Sequence, residues 1–163
     1  MNDLKQKILT IMEKNSKVTV QDLAVLLGET EENVSTAIYE MEQDKVICGY
    51  HTLINWNKTN NEKVIAMIEV RVTPQRGQGF DKIAERIYNF SEVNAVYLIS
   101  GGYDLMVMLE GHTLHEVAMF VSDKLSPLDS VLSTATHFVL KKYKEHGTIL
   151  VSQTPRERML ISP

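Results

Sequence analysis

Apolar residues recur at helical spacing through the first third of the chain and alternate in strand fashion from residue 64 onward. In the opening segment Leu4, Ile8, Ile11 and Met12 fall at i, i+4, i+7 and i+8. They share one face of a helix, and Lys5, Lys7 and Lys14 stand outside it. A second helix is predicted from "TVQD", where Thr19 supplies the N-cap and Asp22, three residues on, reaches back to the capping amide. Its buried side comprises Leu23, Ala24, Leu26 and Leu27, and Gly28 ends it because glycine accepts the left-handed turn after a helix. Thr30 caps a third helix, whose packing side is Val34, Ala37, Ile38 and Met41. Helix, short glycine turn, helix, preceded by another helix, is the helix-turn-helix arrangement. The next segment, "KVICGYHTLINW", offers two short β-rich pieces around Gly49–Tyr50, the pattern of a wing.

The polar stretch "NKTNNEK" reads as a linker. Beyond it come strand "VIAMIEVRVT", helix "GFDKIAERIYNF", strand "NAVYLIS", strand "YDLMVMLE", helix "TLHEVAMFVSDKL" and strand "VLSTATHFVLKKY". That β-α-β-β-α-β succession is the ferredoxin-like arrangement, with both helices on one face of the sheet. The expected class is α+β: a winged helix-turn-helix over 1–56, a linker over 57–62, a ferredoxin-like βαββαβ domain over 63–145 and a tail over 146–163. Along the first strand Val64, Ala66, Ile68, Val70 and Val72 suit the face beneath helices. Ile65 and Met67, joined by Met106 and Met108 of the third strand, make the other face apolar as well. A sheet apolar on both sides, with helices for one, predicts a second copy as the other cover and hence a homodimer.

Composition narrows the chemistry. The 163 residues are 44% hydrophobic and 23% charged, a globular balance sufficient for one domain or two small ones. Cys48 is the single cysteine, which rules out an internal disulfide, and the N-terminus lacks a signal peptide's apolar run. No stretch is long and apolar enough for a bilayer, so the expected location is the cytoplasm. The five histidines show no metal spacing with the cysteine. No phosphate-binding glycine loop, nucleophile elbow or paired-carboxylate arrangement is present, so metal, cofactor and enzyme readings find little support. Residues 1–58 hold six lysines, no arginine and nine acids, a net charge of −3. Counterion release, which supplies most non-specific DNA affinity, must then come from elsewhere. The outer side of the third helix is nonetheless rich in hydrogen-bonding groups. Thr30 at its start, then Glu32, Ser35, Thr36, Tyr39 and Gln43, suit base edges and phosphates.

Taken in order, these segments resemble the family of the leucine-responsive regulatory protein and AsnC, the feast/famine transcriptional regulators. "DLAVLLG" before a short third helix, "KVICGYHTLIN", "GGYDLMVML" and "LSPLDSVLSTATHFVLKKYK" carry the resemblance, from residue 1 to about 145. It implies an N-terminal domain that binds double-stranded DNA, a C-terminal domain that binds an amino-acid effector, and dimers assembling into octamers or related rings. It also implies that Gly101, Gly102, Tyr103 and Asp104, the family's G-x-Y-D loop, line the effector pocket at a dimer–dimer contact, with Thr134 and Thr136 matching its T-x-T. The chemistry is compatible: exposed backbone amides suit a carboxylate and Asp104 suits an ammonium. By themselves the residues read equally as a hairpin turn with a solvated acid and a threonine-rich strand. Two positions depart from the family pattern. Ala37, Ile38 and Tyr39 fill the stretch where an arginine is usual, and Ser130 replaces a glycine before the last strand. The tail, with Arg156 and Arg158 beside Met159, Leu160 and Ile161, is expected to dock on a neighbouring subunit, with a free tail as the near-equal alternative. The function expected is effector-responsive, sequence-specific regulation of transcription. The alternative is a small-molecule sensor or assembly partner whose helix-turn-helix no longer binds DNA.

Overall fold

In the computed structural model, which describes residues 2–61, 63–73 and 79–151, the chain divides into two units, Met1–Ile54 and Asn55–Pro163. The first unit is built on capped helices. Helix α1 (Asp3–Met12) starts where the Asn2 side chain accepts from the Lys5 amide at 2.9 Å. Helix α2 (Val20–Leu27) carries the predicted capping box: the Thr19 hydroxyl accepts from the Asp22 amide at 3.1 Å, and the Asp22 carboxylate accepts from the Thr19 amide at 3.4 Å. Gly28 closes α2 at φ 68°. Helix α3 (Glu31–Gln43) starts at Thr30, whose hydroxyl accepts from the Asn33 amide at 3.2 Å. It ends without a glycine. Lys45 takes φ 57°, and the Lys45 and Val46 amides donate back to the Glu42 and Met41 carbonyls in a Schellman closure.

Ile8, Leu23, Ala24, Val34, Ala37 and Met41 form the buried centre of this unit. Leu26, expected inside, is 65% exposed, beside Val25 at 83%. Two neighbouring helices cover one strip of α2, and that strip holds Leu23 and Ala24, with Leu27 half-buried at its border. The two β-rich pieces after α3 form no strand within this chain, since a strand needs a ladder partner and no described residue supplies one. Instead the Tyr50 hydroxyl donates to Glu42 at 2.7 Å, the Cys48 thiol donates to the Lys45 carbonyl at 3.1 Å, and Ile47 packs on the core.

The second unit is an antiparallel sheet in the order β2-β3-β1-β4, formed by β1 (Val64–Val72), β2 (Val93–Leu98), β3 (Leu105–Gly111) and β4 (Val131–Phe138). Helix α4 (Asp81–Tyr88) joins β1 to β2. Helix α5 (Leu114–Phe120), prolonged by a π-helical turn over Val121–Leu125, joins β3 to β4. This is the predicted ferredoxin-like order, and alternation does what the sequence requires of it. Ala66, Ile68, Val70 and Val72 of β1 and Leu105, Val107 and Leu109 of β3 are buried with Ile83, Ile87, Val117 and Phe120 of the helices. The intervening residues face the other way. Met67 pairs with Met108, Ile65 with Glu110 and Glu69 with Met106 across β1 and β3, and His137 of β4 lies opposite Met67.

After β4 the chain makes a small hairpin of β5 (Lys144–Glu145) and β6 (Thr148–Ile149), which straddles the domain limit expected at 145. Its two-residue loop has both members at positive φ, His146 at 44° and Gly147 at 77°, as a type I′ turn demands. The side chain of Asn55 donates to the Leu150 carbonyl at 2.7 Å, so the short helical turn Trp56–Lys58, expected partly as linker, belongs to this unit. The tail residues Arg156, Arg158, Met159, Leu160 and Ile161 lie outside the described residues.

Candidate functional sites and their relatives

The outer side of α3 presents Glu32, Ser35, Thr36, Tyr39 and Gln43, all exposed. Thr30 is exposed too, but its hydroxyl oxygen already accepts from the Asn33 amide, which leaves the hydroxyl proton for an outside acceptor. The acids of this helix are largely engaged within the unit. Glu31 accepts from the Gln21 side-chain amide at 3.0 Å, Glu40 pairs with Lys5 of α1 at 2.7 Å, and Glu42 accepts from Tyr50. Glu32 has no partner among the described residues. Removal from water, and then its bond to Glu42, push the Tyr50 phenol up to about 12 although half of the residue's surface stays exposed. Lys7 is held by Asp3 at 2.6 Å, a hydrogen bond that raises its pKa. Of the five lysines in residues 1–54, Lys14, Lys17 and Lys45 therefore remain without a carboxylate partner among the described residues.

The loop between β2 and β3 is closed by Ile99 donating to the Asp104 carbonyl at 2.8 Å, which leaves Ser100, Gly101, Gly102 and Tyr103 as the bend. Asp104 is committed to the fold. Its carboxylate accepts from the Val72 amide at 2.9 Å, at the irregularity where β1 slips register against β4, and its own amide donates to the Val70 carbonyl. Neither Gly101 nor Gly102 has a positive φ, and a Cβ on Gly102 would meet nothing within 4 Å. Their own chain does not require glycine there. Thr134 and Thr136 pair with Val70 and Ile68, so both hydroxyl side chains lie on the helix-covered face of β4 and are half-buried. Leu105 and Thr134 flank Val70 from opposite sides, two strand spacings or about 10 Å apart, which puts Thr134 at the loop's end of the sheet, while Thr136, opposite Ile68, lies at mid-strand.

A recess of about 70 Å³ at that end is lined by Thr73, Gly79, Lys82, Ile83, Arg86 and Ser130. An open one of about 330 Å³ beside Lys63, Asn94, Glu110 and His112 lies at the other. Neither is walled by the loop or by the threonine pair. Ser130, the departure from the family's glycine, is buried without a positive φ, and its carbonyl accepts from the Thr73 amide at 2.8 Å.

The open sheet face carries Ile65, Met67 and Met108 half-buried and Met106 at 7% exposure. It also holds a polar pair that sequence reasoning missed, His137 and Glu69 at 3.3 Å, since the two meet only through the register of β4 on β1. Among the described residues no group of His, Cys, Asp and Glu could hold a metal ion, and no helix is long and apolar enough to cross a membrane.

A helix-turn-helix unit joined to a ferredoxin-like unit defines a class of two-domain regulators. Residues 65–149 match the family described as the Lrp/AsnC ligand binding domain. The uncharacterized HTH-type transcriptional regulator YugG of Bacillus subtilis (strain 168) is 47% identical over 164 residues, covering 100% of this chain and 99% of the relative. The chain belongs to the Lrp/AsnC family of transcriptional regulators. The same fold occurs in E. coli AsnC, with a TM-score of 0.68 at 18% identity over 93% of this chain and 99% of that one. It occurs also in a transcriptional regulator of Neisseria meningitidis in complex with L-Met, with a TM-score of 0.70 at 19% identity over 89% and 93%.

Proposed function

We propose that this regulator reads DNA through the neutral, hydrogen-bonding face of α3 and answers to an amino acid held at the Gly101–Asp104 loop. The observation that carries the first half is the internal pairing of Glu31, Glu40 and Glu42, which leaves Ser35, Thr36, Tyr39 and Gln43 free to approach bases and phosphates. For the second half, two glycines that the backbone does not need allow another molecule to approach the loop closely. Thr134 adds a hydroxyl at the same sheet end, and Thr136 follows two residues along the same face of β4. Neither recess of the unit is walled by the loop or the threonine pair, so the reading requires a neighbouring copy to complete the pocket. The copies would first pair through the sheet face of Ile65, Met67, Met106 and Met108, and dimers would then assemble into a ring.

The L-Met complex of the Neisseria regulator makes methionine the first amino acid to try. The test is a gel shift on the DNA upstream of the protein's own coding region, with and without a panel of amino acids. A shift that one amino acid alters is the expected result. Calorimetric amino-acid binding without any shift would identify instead a sensor that has lost DNA.

A further inference from the structure

The reading unit leaves few cations for phosphate, whereas the second unit gathers several around its terminal hairpin. "LKKYK", residues 140–144, leads into β5, and Lys141 and Lys144 are exposed with no carboxylate partner among the described residues. Only Lys142 is spent, on Glu145 at 2.6 Å. The Asn55–Leu150 hydrogen bond, made across 95 residues of chain, brings the Trp56–Lys58 turn to the same place and adds the exposed Lys58, which has no carboxylate partner among the described residues. Lys63 is also near this turn, stacked 4.1 Å over Trp56, but Glu110 takes its charge at 2.5 Å. Tyr143, 65% exposed, lies under Lys141 at 5.1 Å, and the Leu150 amide donates to its carbonyl at 2.9 Å. The type I′ turn stiffens the ribbon that carries these groups.

We infer that Lys58, Lys141 and Lys144 form a second DNA contact, a phosphate-binding ridge on the effector unit that supplies the counterion release the helix-turn-helix lacks. Charge complementarity selects the partner: three exposed ammonium groups without a carboxylate partner among the described residues, with an exposed aromatic hydroxyl beside them, suit a run of phosphodiesters. Lys58 lies four positions beyond Ile54, the last residue of the reading unit, so a short stretch of chain links the two proposed contacts. The inference rests on DNA binding by this protein.

The experiment compares full-length wild type with Lys141→Gln/Lys144→Gln on a random-sequence duplex several helical turns long, across a series of salt concentrations. A control, Lys82→Gln/Arg86→Gln, removes the same charge from the exposed face of α4. The hairpin variant is expected to lower the slope of log K against log salt by about two, and the control to leave it in place. Thermal unfolding and the sedimentation profile should match wild type throughout. An unchanged slope, or an equal loss in the control, would overturn the ridge alone. A variant whose oligomeric state changes would overturn it too, by making the hairpin a contact between copies. Wild type that binds no duplex at all would remove both the ridge and the DNA reading beneath it.

Discussion

Asp104 is engaged by its own fold at the position where the family resemblance expects an effector contact. Its sequence context marks it as a partner for an ammonium, yet one carboxylate oxygen already terminates the β1 ladder at the Val72 amide. Asp104→Ala should therefore cost about 1–3 kcal/mol of stability as well as effector affinity. Asp104→Asn retains an acceptor and should keep most of that stability while losing the charge. Calorimetry with the responsive amino acid, paired with thermal melts of both variants, separates the two roles. Affinity equal to wild type in Asp104→Asn would remove the ammonium contact from the account. Gly102 offers a cleaner test, because its φ and its surroundings admit a side chain. Gly102→Val should leave the melt unchanged and abolish effector binding.

Tyr50 adds a pH signature. Its neutral form is the one bonded to Glu42, and its folded-state pKa is raised to about 12 from 10.0. The stability it contributes is complete below about pH 10 and is lost as pH rises through about 12. An alkaline titration of tyrosinate absorbance should show a late-ionising phenol that Tyr50→Phe deletes. Nothing in the sequence announced this bond, because Tyr50 and Glu42 meet through a loop whose path spacing does not specify.

At the level of elements, the helix starts were the most legible part of the chain. Thr19, Asp22, Thr30 and Gly28 each act within three residues of their own position, so local chemistry alone determines them. The end of α3 was not legible. It uses the closure that Gly28 makes after α2, but with Lys45 at φ 57°, a conformation that residues with a Cβ avoid. The contrast yields paired expectations. Lys45→Gly should raise stability by about 1 kcal/mol, and Gly28→Ala, where a Cβ meets no neighbour and only the backbone objects, should lower it by about 1–2 kcal/mol. Chemical denaturation of both variants measures this directly. A stabilised Gly28→Ala would show the strain argument to be unsound. The β-rich pieces expected to form the wing differ for another reason. Hydrophobic alternation identifies residues suited to a strand but not whether a partner strand lies in the same chain, and here none of the described residues pairs with them.

For the whole molecule, period-two alternation carried the prediction of a two-faced sheet, and the register places Met67 directly against Met108 as that reading requires. What alternation could not supply was the His137–Glu69 pair or the position of the threonines relative to the loop, both of which depend on how β4 aligns with β1. Met67→Asp or Met108→Asp should break the dimer proposed here, since an unpaired carboxylate in an apolar interface costs several kcal/mol. Sedimentation at micromolar concentration is the measurement, and intact dimers would mean the copies meet elsewhere. On DNA, a single dimer deprived of the hairpin lysines should show a shallow salt dependence, with useful affinity gained only when several half-sites are engaged together. Nanomolar binding of an isolated dimer with a steep slope would contradict this. The scarcity of free lysines in the reading unit also governs time. Without the hairpin lysines, a protein whose reading unit has little sequence-independent hold would leave random stretches of chromosome quickly. The hairpin variant should then exchange rapidly among sites, where the wild type, held by the proposed ridge, escapes bulk DNA more slowly.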